Sequence, residues 1–236
     1  MSGAGERPLV VVPVFPGSND DRDAVAALEW VGADAQRVWH DEAVFPAGTT
    51  AVVLPGGFSY GDYLRCGAIA RFSPIMRAVA AFAADGGFVL GICNGFQILT
   101  EAGLLPGVLR ANASLSFVCR DVRVRVERDD LPFTSRSAVG DELTIPVKHG
   151  AGCWFADELL FGELEANGQI VLRYAAGENP NGAVADVAGV CNEAGNVLGL
   201  MPHPEHAVDP LLGSSDGAVL LGSLVDAARL SAAAFV

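Results

Sequence analysis

One segment, GGFVLGICNGFQILTEAGLL at 86–105, limits the possible folds more than any other part of the sequence. The apolar run FVLGI (88–92) is typical of a buried strand, and NGFQILTEAG (94–103) is typical of a helix that ends at a glycine. Only Cys93 separates the two, and a glycine lies two residues before and two residues after it. The segment therefore predicts a sharp turn from a strand into a helix.

Strands and helices alternate in the same way through the first 112 residues. Valine-rich apolar runs favour buried strands, and apolar residues at helical spacing between capping and glycine stop signals favour helices. The predicted strands are 8–15, 35–39, 50–57 and 88–92, and the predicted helices are 21–33, 73–87 and 94–103. This alternation predicts an α/β fold with a doubly wound, mostly parallel central sheet flanked by helices.

The pattern changes after residue 112. Apolar and polar residues alternate over 114–128, as in a partly exposed strand. Further strands are predicted at 142–147, 168–175 and 195–202, followed by a helix at 214–235. No internal repeat, low-complexity tract or long linker interrupts the sequence, so residues 1–236 are predicted to form a single domain.

Composition narrows the possible functions. The net charge of −13 disfavours nucleic acid and anionic membranes as partners. No apolar run reaches the roughly 18 to 20 residues of a membrane helix, and the N-terminus does not resemble a signal peptide. The five cysteines are widely spaced without a C-x-x-C pair, which indicates neither a disulfide framework nor a zinc site. We expect a cytoplasmic protein with free thiols.

Cys93 lies in GICNG, a G-x-C-x-G pattern in which cysteine takes the place of the serine of a nucleophile elbow. Side chains at the two flanking positions would crowd so sharp a turn. The N–H groups and dipole of the following helix favour the thiolate over the thiol. The amide of Asn94 can point at a developing oxyanion. A buried structural cysteine is the alternative that the motif alone leaves open.

A cysteine nucleophile needs a base, and the chain has four histidines. His203 lies between two prolines in GLMPHPEHA, and these restrict its backbone. Glu205, two residues later, can accept the other ring N–H and fix the tautomer. His149, in PVKHGAG, also follows a predicted strand and is the rival base. His40 and His206 are predicted to be surface residues.

A glycine-rich segment, LPGGFSYGDYLRCGAIAR at 54–71, follows the third predicted strand. Its glycines permit close approach of the backbone to a ligand, and it lacks the G-K-[ST] ending of a phosphate loop. Its position predicts that it lies at the carboxyl edge of the sheet, where α/β proteins bind ligands. Gly57 N–H is therefore a candidate second oxyanion donor. The alternative interpretation of this segment is an ordinary glycine-rich surface loop that binds no ligand.

These motifs resemble those of the class I, or triad, glutamine amidotransferases. Longer segments narrow the resemblance to the glutaminase subunits of phosphoribosylformylglycinamidine synthases, over residues 9–226. The segments are PGSN, PGGFSYGDYLRCGAIARF, GICNGFQIL, IPVKHG, GVCNEAGNVLGLMPHPE and LLGSSDG. The resemblance implies a flavodoxin-like amidotransferase domain with antiparallel strands added to its sheet.

The resemblance also implies a role for each matching position. Cys93 would be the nucleophile, His203 the base and Glu205 the third member of a catalytic triad. The implied oxyanion-binding and substrate-binding positions are Gly56, Gly57, Asn94, Gln97 and His149. In the implied reaction Cys93 attacks the side-chain amide of glutamine, His203 protonates the departing ammonia, and water cleaves the γ-glutamyl thioester.

The implied glutaminase works with other proteins. Nothing in the sequence resembles an ATP site, so ATP and Mg²⁺ are expected on a large synthetase subunit that receives the ammonia internally. A small bridging subunit is also expected, and residues 58–71 are hypothesised to signal between the two active sites. This chain itself is expected to carry no cofactor and no metal.

Three positions depart from the pattern usual in this family. They are Asp20 in place of cysteine, Ala151 in place of an acidic residue, and His206 in place of arginine. None is predicted to touch the triad, and we expect effects only on substrate contacts near His149 and on partner docking. Three other interpretations stay open: another amidotransferase acceptor, a silent subunit whose Cys93 is a redox sensor or a relic, and a cysteine protease of related fold.

Overall fold

The computed structural model describes residues 7–234 of the chain. Its helices and strands alternate through the first half, as the sequence predicts. The strands are β1 (Leu9–Val14), β2 (Asp34–Trp39), β3 (Thr49–Leu54), β4 (Phe88–Ile92), β5 (Val108–Arg110), β6 (Val118–Val126), β7 (Glu142–His149), β8 (Cys153–Phe155), β9 (Ile170–Tyr174), β10 (Val187–Cys191) and β11 (Val197–Leu200). The helices are α1 (Asp21–Trp30), α2 (Pro74–Ala84), α3 (Asn94–Glu101), α4 (Glu158–Ala166) and α5 (Gly217–Ala234).

A mixed sheet of nine strands organises the described residues, in the order β2-β1-β3-β4-β11-β10-β9-β6-β7. The first five strands are parallel and follow the 2-1-3-4-5 arrangement of flavodoxin-like folds. The last four extend the sheet with antiparallel pairing, while β5 and β8 form a separate antiparallel pair. The predicted α/β class, with a parallel core and added antiparallel strands, is confirmed.

Burial differs between the two halves of this sheet. Val10, Val11 and Val12 in β1 are all fully buried, as expected for a parallel strand covered on both faces. In β6, by contrast, Val122 is buried while its neighbour Arg123 is exposed, and this alternation continues along the strand. The period of two predicted for this region is therefore present, because one face of β6 packs on the core and the other meets solvent.

Most of the predicted elements are present, although their ends are shifted. A few elements of the structure are not predicted by the sequence. The third strand ends at Leu54 because Pro55 and two glycines follow it. The sequence does not predict β5, β8, β10 or α4, since the strands are short and only Leu164 of α4 is buried. Predictions for residues 1–6 and 235–236 lie outside the described residues, and the single domain stays a prediction.

The parallel half of the sheet brings the functional motifs together. β1, β3, β4 and β11 point the same way, so the loops that follow them meet at one edge of the sheet. These loops carry Asp20, Gly56, Cys93 and His203 respectively. The edge includes the point between β1 and β3 at which the strand order reverses, which is the usual ligand site of such folds.

Candidate active site

Cys93 lies at the corner between β4 and α3. Its φ of 50° and ψ of −103° are unusual for a residue other than glycine, and backbone strain of this kind is concentrated at functional sites. A Cβ on Gly91 would lie 2.7 Å from the carbonyl carbon of Gly95, and one on Gly95 would overlap the carbonyl oxygen of Leu54. Packing therefore requires both glycines, as the motif predicts.

His203 and Glu205 form a buried pair. His203 Nδ1 lies 2.6 Å from Glu205 Oε1, and both residues are almost inaccessible to solvent. The contact predicted from their spacing is present, although Pro204–His206 form a 3-10 turn rather than an extended segment. The carboxylate favours the proton on Nδ1, which leaves Nε2 to act on the thiol and the substrate.

The charges around His203 favour its protonated form. Burial by itself lowers the pKa of the imidazole, but the charges of Glu205 and Cys93, together with the hydrogen bond to Glu205, raise it overall to about 10. An imidazolium beside a cysteine is the arrangement that activates cysteine nucleophiles through ion pairing.

Two of the three departures from the family pattern touch the triad, so the prediction that none does is wrong. Asp20 Oδ2 lies 3.7 Å from His203 Nδ1, and His206 Nε2 lies 3.7 Å from Glu205 Oε1. His206, predicted to be a surface residue, is partly buried, with 27% of its side chain exposed. The one available signal for Asp20 was an acidic residue in the loop between β1 and α1.

His40 is the second histidine that was predicted to lie at the surface and that makes internal contacts. It is partly buried, and its Nδ1 lies 3.0 Å from the hydroxyl of Tyr60. That hydroxyl also lies 2.9 Å from Ser73 Oγ, so Ser73, at the N-cap position of α2, contacts Tyr60 and does not cap the helix with its side chain. His40 thus helps to hold the glycine-rich loop.

His149 has a different environment from His203. Its Nδ1 lies 3.1 Å from Asn112 Oδ1, and its Nε2 lies 3.4 Å from Asn181 Nδ2. Burial and the nearby charge of His203 lower the pKa of His149 to about 4. Both ring nitrogens are therefore engaged and the ring is neutral at physiological pH, which makes His149 a poorer candidate base than His203.

A pocket of about 160 Å³ opens in front of Cys93. Of the predicted site residues, it brings together Cys93, His203, Gly57, Gln97 and His149. Sites for drug-sized ligands usually measure about 300 to 1,000 Å³. The smaller volume suits a substrate of amino-acid size better than a nucleotide.

A chain of hydrogen bonds fixes the floor of this pocket. The Ser59 N–H donates to Asn94 Oδ1 at 3.0 Å, and Asn94 Nδ2 donates to Gln97 Oε1 at 2.8 Å. Gln97 Nε2 then donates to the carbonyl of Ala151 at 2.6 Å. Because a backbone carbonyl is the acceptor, the third departure from the family pattern, Ala151, fills this role without a polar side chain.

Gly56 and Gly57 bring the loop after β3 close to the triad. A Cβ on Gly56 would lie 2.7 Å from His203 Cε1 and would overlap the Asp20 carboxylate. Gly57 has a φ of 145°, which side chains rarely adopt, and it lines the pocket. The two glycines thus bring the backbone up to His203 and Cys93, as expected of an oxyanion-binding loop.

A strained segment forms another wall of the pocket. Tyr60, Asp62 and Leu64 have positive φ values of 53°, 55° and 69°. Asp62 Oδ1 is buried without a hydrogen-bond partner among the described residues, and burial raises the pKa of its carboxyl. Burial, with Asp62 nearby, also raises the pKa of the Cys66 thiol to about 12, which makes Cys66 a poorer candidate nucleophile than Cys93.

Four side chains near the triad are of types that can bind a metal. Potential ligand atoms of Asp20, His203, Glu205 and His206 lie within 4.8 Å of one another. However, Lys148 Nζ lies 2.5 Å from Asp20 Oδ1, and Glu205 is already bonded to His203. These contacts favour an internally balanced charge cluster, and the expectation that the chain holds no metal stays a prediction.

Sequence comparison identifies relatives over almost the whole chain. Residues 7–216 match the family described as CobB/CobQ-like glutamine amidotransferase domain. The chain is 58% identical over 221 residues to "Phosphoribosylformylglycinamidine synthase subunit PurQ" of Rubrobacter xylanophilus, covering 94% of this chain and 99% of that protein. It is 54% identical over 229 residues to the protein of the same name from Rhodopseudomonas palustris, covering 94% and 98%.

Structural comparison agrees with the sequence. A chain in the "Structure of PurLQS from Thermotoga maritima" superposes with a TM-score of 0.85 and 43% identity, covering 94% of this chain and 99% of that one. The glycine-bounded corner at Cys93 and the His203–Glu205 pair therefore lie in a fold shared with these proteins. The chain belongs to the CobB/CobQ-like glutamine amidotransferases and, within them, to the PurQ family.

Proposed function

We propose that this chain is the glutaminase subunit of a phosphoribosylformylglycinamidine synthase. It hydrolyses glutamine to glutamate and ammonia for a synthetase that converts formylglycinamide ribonucleotide and ATP into formylglycinamidine ribonucleotide, in de novo purine biosynthesis. The observation that carries the proposal is the 2.6 Å bond between His203 Nδ1 and Glu205 Oε1 at the pocket of the strained Cys93. Identity to PurQ proteins over nearly the whole chain supports this choice of acceptor.

The first half of the reaction forms a thioester. The Cys93 sulfur attacks the side-chain carbonyl carbon of glutamine, and negative charge develops on the carbonyl oxygen. The backbone N–H groups of Gly57 and Asn94 are proposed to stabilise that charge. The C–N bond then breaks as His203 donates its Nε2 proton to the nitrogen, so ammonia leaves and a γ-glutamyl thioester remains.

The second half regenerates the enzyme. His203, now neutral, takes a proton from water at Nε2, and the resulting hydroxide attacks the thioester carbonyl. The C–S bond breaks, glutamate leaves and the Cys93 thiolate is restored beside the imidazolium. Glu205 holds Nδ1 throughout, so the ring keeps the orientation and the tautomer that both proton transfers need.

Asp62 is suited to bind the α-ammonium group of glutamine. Its carboxylate lines the pocket, and one buried oxygen has no hydrogen-bond partner among the described residues. A buried carboxylate oxygen without a partner is costly, and an ammonium group would satisfy it. The substrate would then contribute the missing charge, and its amide would extend toward Cys93.

We propose that the ammonia is used by a large synthetase subunit that carries ATP and Mg²⁺, with a small bridging subunit in the same assembly. The name PurLQS, given to the Thermotoga maritima structure, supports an assembly of this kind. Tyr63, Leu64 and Phe72 are all exposed and lie in or next to the strained loop, which suits a docking surface near the pocket. The chain itself needs no cofactor in this scheme.

The proposed location is the cytoplasm, where free glutamine and ATP are available. Within the part of the chain that the structure describes, no helix is long and apolar enough to cross a membrane. The five cysteines are free, which suits a reducing compartment.

Covalent labelling tests the proposal directly. The chain is incubated with a glutamine-mimicking diazoketone, with and without excess glutamine, and the modified peptide is identified by mass spectrometry. We expect one adduct, on Cys93, that glutamine suppresses. The exposed Cys119 is the internal control, because an adduct there would indicate unselective alkylation.

Repeating the labelling with the synthetase present separates the remaining interpretations. An adduct that forms only in the complex would mean that the partner completes the glutamine site. Absence of an adduct on Cys93 in both experiments would contradict the glutaminase proposal and favour a silent subunit.

A further inference from the structure

Asp20 has the contacts of a functional side chain rather than those of a helix cap. It occupies the N-cap position of α1, yet its side chain makes no capping hydrogen bond. The residue is only 4% exposed. Its own N–H donates to the carbonyl of Gly56 at 3.3 Å, which anchors the loop after β1 to the loop after β3. The carboxylate is thus buried at the point where these two loops meet.

The carboxylate of Asp20 faces His203. Oδ2 lies 3.7 Å from His203 Nδ1, the nitrogen that Glu205 also contacts. The other oxygen, Oδ1, lies 2.5 Å from Lys148 Nζ and 3.5 Å from His206 Nε2. Two carboxylates therefore share one edge of the imidazole, one bonded to it and one just outside hydrogen-bond distance.

Gly56 makes this close approach possible. Any side chain at position 56 would overlap the Asp20 carboxylate and press on His203 Cε1. The three residues are therefore packed together, and at short range in a buried site an ionic interaction is screened only weakly by water.

The Asp20 carboxylate stays ionised. Burial raises the pKa of Asp20, but the nearby His206, the hydrogen bond to Lys148 and the charge of His203 outweigh it and hold the pKa well below its usual range. Lys148 offsets part of the negative charge, so the cluster is balanced when His203 is protonated. Loss of the His203 proton would leave Lys148 as the one positive charge, among the described residues, beside the two carboxylates of Asp20 and Glu205.

We propose that Asp20 is a positioning residue for His203: a second carboxylate that, together with Glu205, orients the ring and stabilises its protonated form during glutamine hydrolysis. The proposal rests on the proposed glutaminase function. Asp20 acts through the histidine, so its loss should mainly lower kcat, with little change in the KM for glutamine.

The pH dependence of catalysis reports this role. The ionisable groups that face His203 are Glu205 and His206 on its own segment, Asp20 after β1, Cys93 at the elbow, and Lys148 and His149 on β7. Removing the charge of Asp20 removes one of the anions and leaves Lys148 unpaired. Both changes destabilise the imidazolium, so the pKa of His203 must fall.

The experiment compares D20N with D21N in glutaminase assays of the synthetase complex over a wide pH range. Asp21 is the matched control, because it loses the same charge one residue away but pairs with Arg37 at 2.9 Å instead of with the triad. For D20N we expect kcat to fall ~10-fold and the alkaline limb to move down by about one pH unit or more. D21N should keep the wild-type profile.

A second readout does not depend on turnover. The ring of His203 is titrated by NMR in the C93A background, with and without D20N, so that the thiolate does not contribute. A lower pKa of His203 in the D20N protein would support the proposal, and an unchanged pKa would overturn it. This measurement remains decisive if the wild-type complex hydrolyses no glutamine, a result that would contradict the proposed function alone.

Folding is checked by thermal unfolding of each variant. If D20N does not fold, D20S serves as the second variant, because its smaller, uncharged side chain fits within the space that the Asp20 side chain occupies. If neither folds, Asp20 is a structural partner of Lys148, and the proposal is overturned. It is also overturned if D20N and D21N give the same pH profile.

Discussion

The two sides of the pocket are built in different ways. On one side, the Cys93 corner is set by a few consecutive residues, since a strand, two glycines and a helix determine the strained backbone. On the other side, His203 is surrounded by groups from distant parts of the chain. Asp20 and Gly56 approach it from the loops after β1 and β3, and Lys148 on β7 binds the Asp20 carboxylate.

The difference shows which part of a catalytic site can vary. The backbone of the Cys93 corner leaves no room for substitution, because added atoms meet main chain. The surroundings of His203 consist mostly of side chains, so substitutions at positions 20 and 206 can be accommodated while the His203–Glu205 bond persists.

Removing the nucleophile should have the largest effect. For C93A we expect glutamine-dependent synthesis to fall by ~10³-fold or more, because no thioester can form. Ammonia-dependent synthesis by the partner should survive, and steady-state assays with either nitrogen donor measure both. C119S, at an exposed position on β6, is the matched control and should leave both activities unchanged. Retained glutamine-dependent activity in C93A would mean that the corner is not the reactive side of the pocket.

Alanine at two glycines should separate the two sides. In G95A the new Cβ meets the backbone carbonyl of Leu54, so we expect a loss of about 3 kcal/mol of stability. In G56A it meets the side chains of Asp20 and His203, so kcat/KM should fall ~100-fold with a smaller change in stability. Chemical denaturation and glutaminase assays measure the two quantities.

Gly162 is the control for this pair. Its Cβ would meet nothing, and the residue lies in helix α4, so G162A should stabilise the protein by about 0.5 to 1 kcal/mol. If G56A unfolded the protein as readily as G95A, the proposed contrast between backbone and side-chain constraint would be wrong.

His149 should affect stability in acid rather than catalysis at neutral pH. Its pKa falls from 6.5 to about 4 on burial beside His203, so the folded protein keeps it neutral while the unfolded chain can protonate it. Its contribution is therefore complete above pH 6.5 and is lost as the pH falls toward 4, amounting to about 3 kcal/mol. In H149Q, the free energy of unfolding should fall less steeply across this window than in the wild type. Parallel curves for the two proteins would show that His149 is not held neutral by the fold.

The smallest effect on the isolated chain is expected at Arg65. Its side chain is 64% exposed and its Nη2 lies 2.7 Å from Glu101 Oε2, so R65A should cost less than about 1 kcal/mol. If residues 58–71 signal to the synthetase, R65A should nonetheless reduce the stimulation of glutaminase by the partner. R125A removes a comparable exposed pair on β6 and should not. Equal stimulation in R65A, R125A and wild type would contradict the signalling hypothesis.

The sequence was most informative where structure is local. The apolar runs and glycine stops predict β1 to β4 and α1 to α3, since each signal lies within the element that it specifies. They do not predict α4, which buries only Leu164, or β10, whose five residues pair with strands on either side. Elements of this kind depend on tertiary neighbours more than on their own pattern.

The features of the candidate site also divide into those that the local sequence predicts and those that depend on tertiary contacts. By itself the sequence determined the corner at Cys93, its two glycines and the spacing of His203 and Glu205, because these depend on residues close together in the chain. Only the tertiary structure decided that Asp20 and His206 approach the His203–Glu205 pair, that His40 contacts Tyr60, and that Asn112 and Asn181 engage His149. The physical reason is that parallel strands bring the ends of distant segments to one edge of the sheet, and no local pattern records which side chains meet there.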